Sequence, residues 1–590
     1  MKTAPKTTGL RYWMLRVLDE CDHVAAAFHA DPVHDLRVAL RRCRSMADGL
    51  MAMDPDPDWK AMKKAGKRLF QSLGELRDVQ IMMDWTDKLW PDQLPHASEP
   101  VAISEHASEP STSQETENPA PAAGSSDHEQ HNPPAYALLG ILRQRETELK
   151  RAARAALEQF DRKQWRQWAK TLPLRASHIR PGNVVYKHLA LERWTAAREL
   201  HARAMRNRSQ VALHTLRIGI KRFRYIVENF LPVEHKAWSN DLKHMQDLLG
   251  EVHDLDVLWA AALSYRVFHE EESRKAWHAR IVEERTKRVD EYRHNTLGEN
   301  SLWNVWRAGL PQGKQVQELA TRRMKLWAKV LDPDFAHSER VARLALELYD
   351  GLGKARLLGA PGYASRDNAS RENALRAKDN LQGKEKRTEN KNGSGSNHDD
   401  ARSSLYLAAL LHDVGKSDGN KGHHKASREL IQSHGVPLGW SAETMQRAAL
   451  VARFHCGALP VPSHKALRDL LPDEQKLVIR LSAILRLANA FDSAHDGHIR
   501  RIQIEPPQTE NAAQSPRRAR RTNGFLRKPP TLGKTEALVI SADGYLPGSP
   551  TAQAIAAERH LLETVLKRPI IVRAANPAQR TASIARTSAA

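Results

Sequence analysis

Two groups of residues in this chain have types and spacings that could do chemistry. The first is a basic ridge that occurs twice. VHDLRVALRRCR, from Val33 to Arg44, returns as LHTLRIGIKRFR, from Leu213 to Arg224, so that His34, Arg37, Arg41 and Arg44 correspond to His214, Arg217, Lys221 and Arg224. At about 100° per residue these offsets fall within an arc of about 80°, which puts one imidazole and three cations on one face of each helix. Arginine offers paired donors to phosphate oxygens and lysine a point charge, so a chain of phosphates suits such a lining. Two ridges of like charge that face each other repel until an anion bridges them.

The second group centres on His412-Asp413, followed by Gly415 and Lys416, in LYLAALLHDVGKSDGNKGHHKASRELI. An adjacent His-Asp at a helix end supplies one nitrogen and one oxygen donor, a pairing that suits Mn, Fe, Mg or Zn when other ligands converge. Around it stand His337, the His423-His424 pair, His455 in VARFHCGALP and Asp492 in LRLANAFDSAHD. Each has a plainer reading. His455 could be a core histidine at a helix terminus, and Asp492 a helix cap.

The elements that must position these groups are helices. Leu36, Leu40, Cys43 and Ala47 form a core stripe on a separate arc from the first ridge, as Leu216, Ile220, Phe223 and Val227 do in the second copy. A second matching segment follows each, LFQSLGELRDVQ and MQDLLGEVHDLD, sharing Gly-Glu-x-x-Asp from Gly74 and Gly250. The repeat therefore spans a helical hairpin or more. Glu75, Asp78, Glu251 and Asp254 are placed either to orient the cations or to pair within the fold. Neither ridge carries an aromatic residue at an outward position, which favours a base-free polyanion over nucleic acid. Strand-like runs occur near Ile502 to Ile504, Ala537 to Ile540 and Ile570 to Val572 only. The fold class expected is predominantly all-α, with a small α/β piece at the C-terminal end.

Composition sets the frame. A chain of 590 residues exceeds one hydrophobic core, and a formal charge of +21 favours polyanionic partners. The cysteines Cys21, Cys43 and Cys456 are far apart and form no CxxC pair, which argues against a disulfide framework and against a cysteine zinc site, and for a reducing cytoplasm. With no signal-peptide pattern and no run of about 18 apolar residues, a soluble protein without a membrane partner is expected. Three polar stretches, 91–134, 353–403 and 506–534, read as insertions or linkers. The first repeats HASEP at His96 and His106, and the last holds RRARR at Arg517 to Arg521.

The duplicated ridge and the LGELRD and LGEVHDLD segments resemble the conserved histidine α-helical domain, CHAD, over roughly the first 310 residues. That resemblance implies two four-helix bundles related by pseudo-symmetry that bind inorganic polyphosphate and often localise to polyphosphate granules. It implies ligand contacts from His34, Arg37, Arg41, Arg42, Arg44, His214, Arg217, Lys221, Arg222 and Arg224, with Lys67 and Lys243 added from the downstream helices. Arg42 and Arg222 lie off the main arc.

The second group resembles the HD superfamily of metal-dependent phosphohydrolases. It is most similar to the C-terminal HD-type region of exopolyphosphatase and guanosine pentaphosphate phosphohydrolase, through HDVGK, GHHKAS, the RFH segment and LRLANAFD. The resemblance implies a divalent metal held by His337, His412, Asp413 and Asp492, with His424 and His455 completing a second metal or touching phosphate. His423 can replace His424 in that scheme. Asp413 and Lys416 are the implied catalytic residues, Lys416 neutralising charge on the phosphoryl group. No glycine-rich phosphate loop is found here, whereas those enzymes carry their main phosphatase site in a separate actin-like domain.

The organisation expected is a CHAD domain over 1–325, an HD-type domain over 326–505, a basic linker over 506–534 and an α/β segment over 535–590. The function expected is polyphosphate binding joined to hydrolysis of a phosphoanhydride or phosphoester, with phosphorylated guanosine nucleotides as a further substrate class. The alternative is a non-enzymatic granule-associated scaffold with a vestigial HD-type domain.

Overall fold

The computed structural model of the chain describes residues 9–26, 28, 30–93, 133–358, 396–505 and 537–575. Most of each expected insertion, with both HASEP copies and the Arg517 to Arg521 tract, lies outside the described residues. At the margins of the second, Gly353 and Lys354 end one helix and Ser396 to Ser403 begin another. The chain divides into two compact units, Met1–Gly313 and Lys314–Ala590. This division falls 12 residues before the expected boundary at 325.

The first unit is helical. In its first half, α1 (Leu10–Ala26), α2 (Ala30–Leu50), the short α3 (Pro57–Ala65), α4 (Lys67–Leu89) and α5 (Pro134–Glu158) follow in order. After α6 (Arg162–Ala176), the second half repeats the pattern with α7 (Val185–Arg206), α8 (Gln210–Phe230), α9 (Pro232–Ser264) and α10 (Glu271–Thr296), and α11 (Leu302–Ala308) ends the unit. The two ridges lie on α2 and α8. Ser209 caps α8 by accepting from Ala212 N at 3.3 Å. All eight residues of the two expected core stripes, Leu36 to Ala47 and Leu216 to Val227, are fully buried. Sequence periodicity fixed the orientation of these helices because burial of one apolar stripe leaves the ridge facing outward.

The basic helices pack against each other, as do α4 and α9. Arg42 on α2 pairs with Glu228 on α8 and donates to Asn229 Oδ1 at 3.3 Å, and Asn229 returns a bond to Ser45 Oγ at 2.9 Å. This knot ties the duplicated halves together.

The second unit holds α12 (Lys314–Leu331), α13 (Phe335–Lys354), α14 (Ser396–Leu411), a 3₁₀ turn (Val414–Asp418), α15 (His423–His434), α16 (Ala442–Arg453) and α17 (Pro472–Phe491). Three strands and one helix complete it: β1 (Arg501–Ile504), β2 (Leu538–Asp543), α18 (Pro550–Leu566) and β3 (Ile570–Ala574). β1 runs antiparallel to β2, with Ile502 opposite Ala542, while β2 and β3 are parallel, with Ile540 opposite Val572. The α/β segment is not a separate layer of structure. Ile502, Ile540, Ile555, Leu562 and Ile570 share one core with Leu344, Leu405, Val451 and Leu485 of the helices. Glu347 of α13 accepts from Ile502 N at 2.9 Å, and Arg486 of α17 pairs with Glu558 of α18 at 2.7 Å.

Among the described residues no helix is long and apolar enough to cross a membrane. The three cysteines are unpaired.

Candidate anion groove and metal centre

In the first unit the two ridges converge. Burial and the neighbouring charges of Arg217, Arg41 and Arg37 push the Lys221 ammonium down to about 8, so cations from both copies crowd one place. The duplicated Gly-Glu-x-x-Asp segments meet there too. Burial raises the carboxyl of Asp254 to about 6 against the pull of Arg217, with Asp78 adding to the rise. Asp78 is likewise raised by burial and opposed by Arg37 and Arg217. Two carboxyls raised by burial thus sit among arginines supplied by both halves.

The same segments receive the arginines on their backbones. Arg37 Nη1 donates to Leu73 O at 2.7 Å and Gly74 O at 3.0 Å. Arg217 stands over Gly250, its Nε 3.8 Å from where a Cβ would lie, and that Nε is buried without a partner. Arg37 is anchored; its counterpart keeps a donor free for a ligand. His214 Nδ1 lies 3.2 Å from His253 Nδ1, and burial with Arg217 nearby lowers both imidazoles, His253 to about 4. His253 is therefore neutral at pH 7.

Other expected contacts are turned elsewhere. Arg42 is committed to Glu228, Arg224 stands 3.9 Å from the same carboxylate, and Arg44 donates to Lys63 O at 2.8 Å. Glu251 pairs with Arg288 on α10. His34, Lys67, Arg222 and Lys243 are exposed.

An aromatic side chain does stand beside the ridges: Tyr225, one residue past the second matched segment. Its ring lies 5.9 Å from the Arg41 guanidinium and 6.0 Å from Lys221 Nζ, and its buried hydroxyl has no partner. The repeat hid it because the equivalent position in the first copy is Ser45, although Tyr225 follows Lys221 by one helical turn. Ser45 and Tyr225 both line a cavity of about 490 Å³ that also presents Lys63, Arg193 and Arg222.

In the second unit the site begins at a helix cap. Asp334 accepts from His337 N at 3.2 Å and so starts α13 with His337 in its first turn. The His337 ring bonds Asp492 Oδ2 at 2.7 Å through Nδ1 and Asn489 Oδ1 at 2.9 Å through Nε2. Asp492, at the end of α17, also receives Arg340 Nε at 2.9 Å and Gly497 N at 3.1 Å. Although burial opposes its charge, His337 and Arg340 hold its carboxyl below the usual range.

At the end of α14, His412 donates from Nδ1 to Ala409 O at 2.8 Å, and its Nε2 is buried without a hydrogen-bond partner, 3.4 Å from Asp413 Oδ2. His455, after α16, repeats this arrangement with Ala452 O at 2.8 Å, as His423 does with Asn420 O at 2.8 Å. Their Nε2 atoms lie 3.0 Å apart, at 3.6 and 3.3 Å from Asp413 Oδ1. Three imidazoles are thereby fixed in orientation with their Nε2 atoms around one carboxylate. A backbone carbonyl on the far nitrogen is the usual support of a metal-binding histidine.

Asp413 is held far below the usual carboxylate range: burial opposes ionisation, but His412, His423, His455 and Lys416 outweigh it. Burial lowers both His412 and His455. His423 is raised to about 10 by its bonds to Asp413 and Cys456. An anion ringed by imidazole lone pairs requires a positive charge, which the proton on His423 provides and a divalent ion would replace. The donor set fits such an ion.

Of the adjacent pair, His423 meets Asp413, whereas His424 turns to Cys456, with Nδ1 3.6 Å from Sγ. Lys416 pairs with Asp413 Oδ2 at the half-buried rim. Sequence reasoning missed Cys456, Asn489, Arg340, Arg428 and Arg453. Arg453 is 8% exposed, beside Arg428, and Arg453 Nη1 and Arg428 Nε are both buried without partners. Arg453 opens the RFH string and Arg428 directly follows GHHKAS, which was the available signal.

A family model described as CHAD domain matches residues 15–263, and one described as Ppx/GppA phosphatase, domain III, matches residues 371–515. The chain carries a CHAD domain and a Ppx/GppA domain III. No curated protein matches it. The CHAD match contains both ridges and both Gly-Glu-x-x-Asp segments. The domain III match contains His412, Asp413, His423, His455 and Asp492, while His337 lies upstream of it.

Proposed function

We propose that the CHAD domain binds inorganic polyphosphate between its two ridges and that the domain III unit is a metal-dependent phosphohydrolase acting on a phosphoanhydride or phosphoester. The binding half rests on the crowding of Arg37, Arg41, Arg217 and Lys221, which a polyanion would relieve. The free Nε of Arg217 and the Tyr225 hydroxyl add unpartnered donors. Polyphosphate would take up charge that the fold leaves unneutralised, and a groove of this kind would anchor the protein on cytoplasmic polyphosphate granules.

The observation that carries the enzymatic half is the buried, partnerless Nε2 of His412 beside Asp413. His337, His412 and Asp413 would hold a divalent ion, with Asp492 fixing the His337 ring. Such an ion supplies Lewis-acid polarisation of a phosphoryl oxygen and activation of water. Lys416 shares the Asp413 carboxylate and stands at the rim, where its ammonium meets charge on the transferring phosphoryl group. Arg428 and Arg453, with unpartnered buried N–H groups, hold the flanking phosphates of the substrate. Polyphosphate and guanosine pentaphosphate both present such phosphates.

One observation favours the non-enzymatic scaffold instead. Arg340 already gives Asp492 a cation, and both nitrogens of His337 are engaged. The deciding experiment measures metal content of the purified chain together with phosphate release from long-chain polyphosphate, guanosine pentaphosphate and simple nucleotides. Stoichiometric metal and release are expected, with release abolished in H412A and D413A while polyphosphate affinity stays within about twofold. A chain that binds polyphosphate but neither metal nor hydrolyses any of these would be the scaffold. Joint loss of binding and hydrolysis in H412A would contradict the division of labour.

A further inference from the structure

The loop that presents His455 to Asp413 is held from behind. Arg486, on α17, is buried, and its Nη1 donates to two main-chain carbonyls, Phe454 O at 3.1 Å and Gly457 O at 3.3 Å. Those carbonyls flank the His455-Cys456 dipeptide, so one guanidinium grips the loop on both sides of the histidine. Phe454 caps the C-terminal end of α16, where main-chain carbonyls have run out of helical donors and a cation is favoured.

The remaining donors of the guanidinium are committed to the C-terminal segment. Glu558, on α18, accepts from Arg486 Nε at 2.7 Å and from Nη2 at 3.3 Å, a forked pairing that fixes the plane of the group and aims Nη1 at the loop. It also supplies the counter-charge that a buried cation requires. Glu558 lies beyond residues 371–515, the span matched by the domain III family model.

The grip reaches the metal centre through the loop. His455 Nε2 lies 3.6 Å from Asp413 Oδ1, with its ring set by Ala452 O at 2.8 Å. Gly457 turns the chain at a φ of 71°, and a Cβ there would stand 3.3 Å from the His424 ring, so a shift of the loop is felt by both histidines. The same helix that carries Arg486 ends in Asn489 and Asp492, which hold His337.

We propose that Arg486 and Glu558 are positioning residues of the metal centre: through them the C-terminal α/β segment holds His455 against Asp413 and sets the affinity of the centre for its divalent ion. This rests on the reading of the domain III unit as a metal site. The segment is then a working part of that unit and not an appended domain.

The test compares the full chain with E558Q, which keeps the shape of the side chain and removes its charge. Co²⁺ affinity is read by competition with a chromophoric chelator. In the metal-free chain, the rate at which Cys456 reacts with an aromatic disulfide reagent reports how firmly the loop is held, because Cys21 and Cys43 are buried. E558Q should bind Co²⁺ about tenfold more weakly and react at Cys456 at least about threefold faster, with circular dichroism unchanged. Adding E558Q to R486M should move neither readout further, because Glu558 acts only through Arg486. A merely structural role would lower the fraction of folded chain and leave the affinity of the folded fraction unmoved. Parent-like Co²⁺ affinity or a parent-like thiol rate in E558Q, or a further loss in the double variant, would overturn the positioning role and leave the hydrolase reading standing. Failure of the parent chain to bind any divalent ion would remove both.

Discussion

Ser427 Oγ donates to the main-chain carbonyl of His412 at 2.7 Å. The same oxygen accepts from Gly415 N at 2.9 Å, and the side chain is fully buried in the first turns of α15. One hydroxyl thus joins the His-Asp doublet, the 3₁₀ turn after it and the helix that brings His423.

Replacing Ser427 by Ala leaves a buried carbonyl and a buried N–H without partners. Each unsatisfied group costs about 1–3 kcal/mol, so S427A should lower the stability of the domain III unit by at least ~1 kcal/mol. Because the hydroxyl positions ligands without touching the metal, Zn²⁺ affinity should fall about tenfold or more. Denaturant unfolding and competition with a chromophoric chelator measure the two effects. Metal affinity equal to that of the parent would exclude a positioning role.

Gly415 faces a harder limit. A Cβ there would stand 2.2 Å from His423 O and 2.5 Å from Ser427 N, both backbone atoms. The turn or α15 must move, so G415A should destabilise the domain III unit by about 1–3 kcal/mol and separate His423 from Asp413. Polyphosphate affinity should be unaffected, since both ridges belong to the other unit. Calorimetry and a fluorescence binding assay on the same sample check this pair of outcomes.

Polyphosphate binding should weaken in mild alkali. Burial and the charges of Arg217, Arg41 and Arg37 push Lys221 down to about 8 in the free protein. A polyanion favours the charged form and raises that value in the complex. Below pH about 8 Lys221 is already charged and affinity is full; above it, binding must recruit a proton, and affinity falls up to about tenfold per pH unit. K221R should flatten the profile because arginine stays charged. A titration series from pH 6 to 10 at constant salt would show the bend in the parent and its absence in the variant.

The sequence by itself determined the helical fold, the duplication and the outward ridges. A period of 3.6 residues and a stripe such as Leu216, Ile220, Phe223 and Val227 leave one way to bury the helix, which fixes where Arg217 and Lys221 point. The His412-Asp413 doublet and the three strands were legible for similarly local reasons. Tertiary structure decided the rest. His423 and His424 are adjacent on a helix and point about 100° apart, so which one meets Asp413 depends on how α15 docks after the left-handed Gly422. Cys456 approaches His423, Tyr225 meets Arg41 of the other copy, and Arg42 pairs with Glu228, each through a contact between remote segments. Local periodicity orients a side chain about its own helix axis; the packing of one helix on another selects which of those side chains share a site.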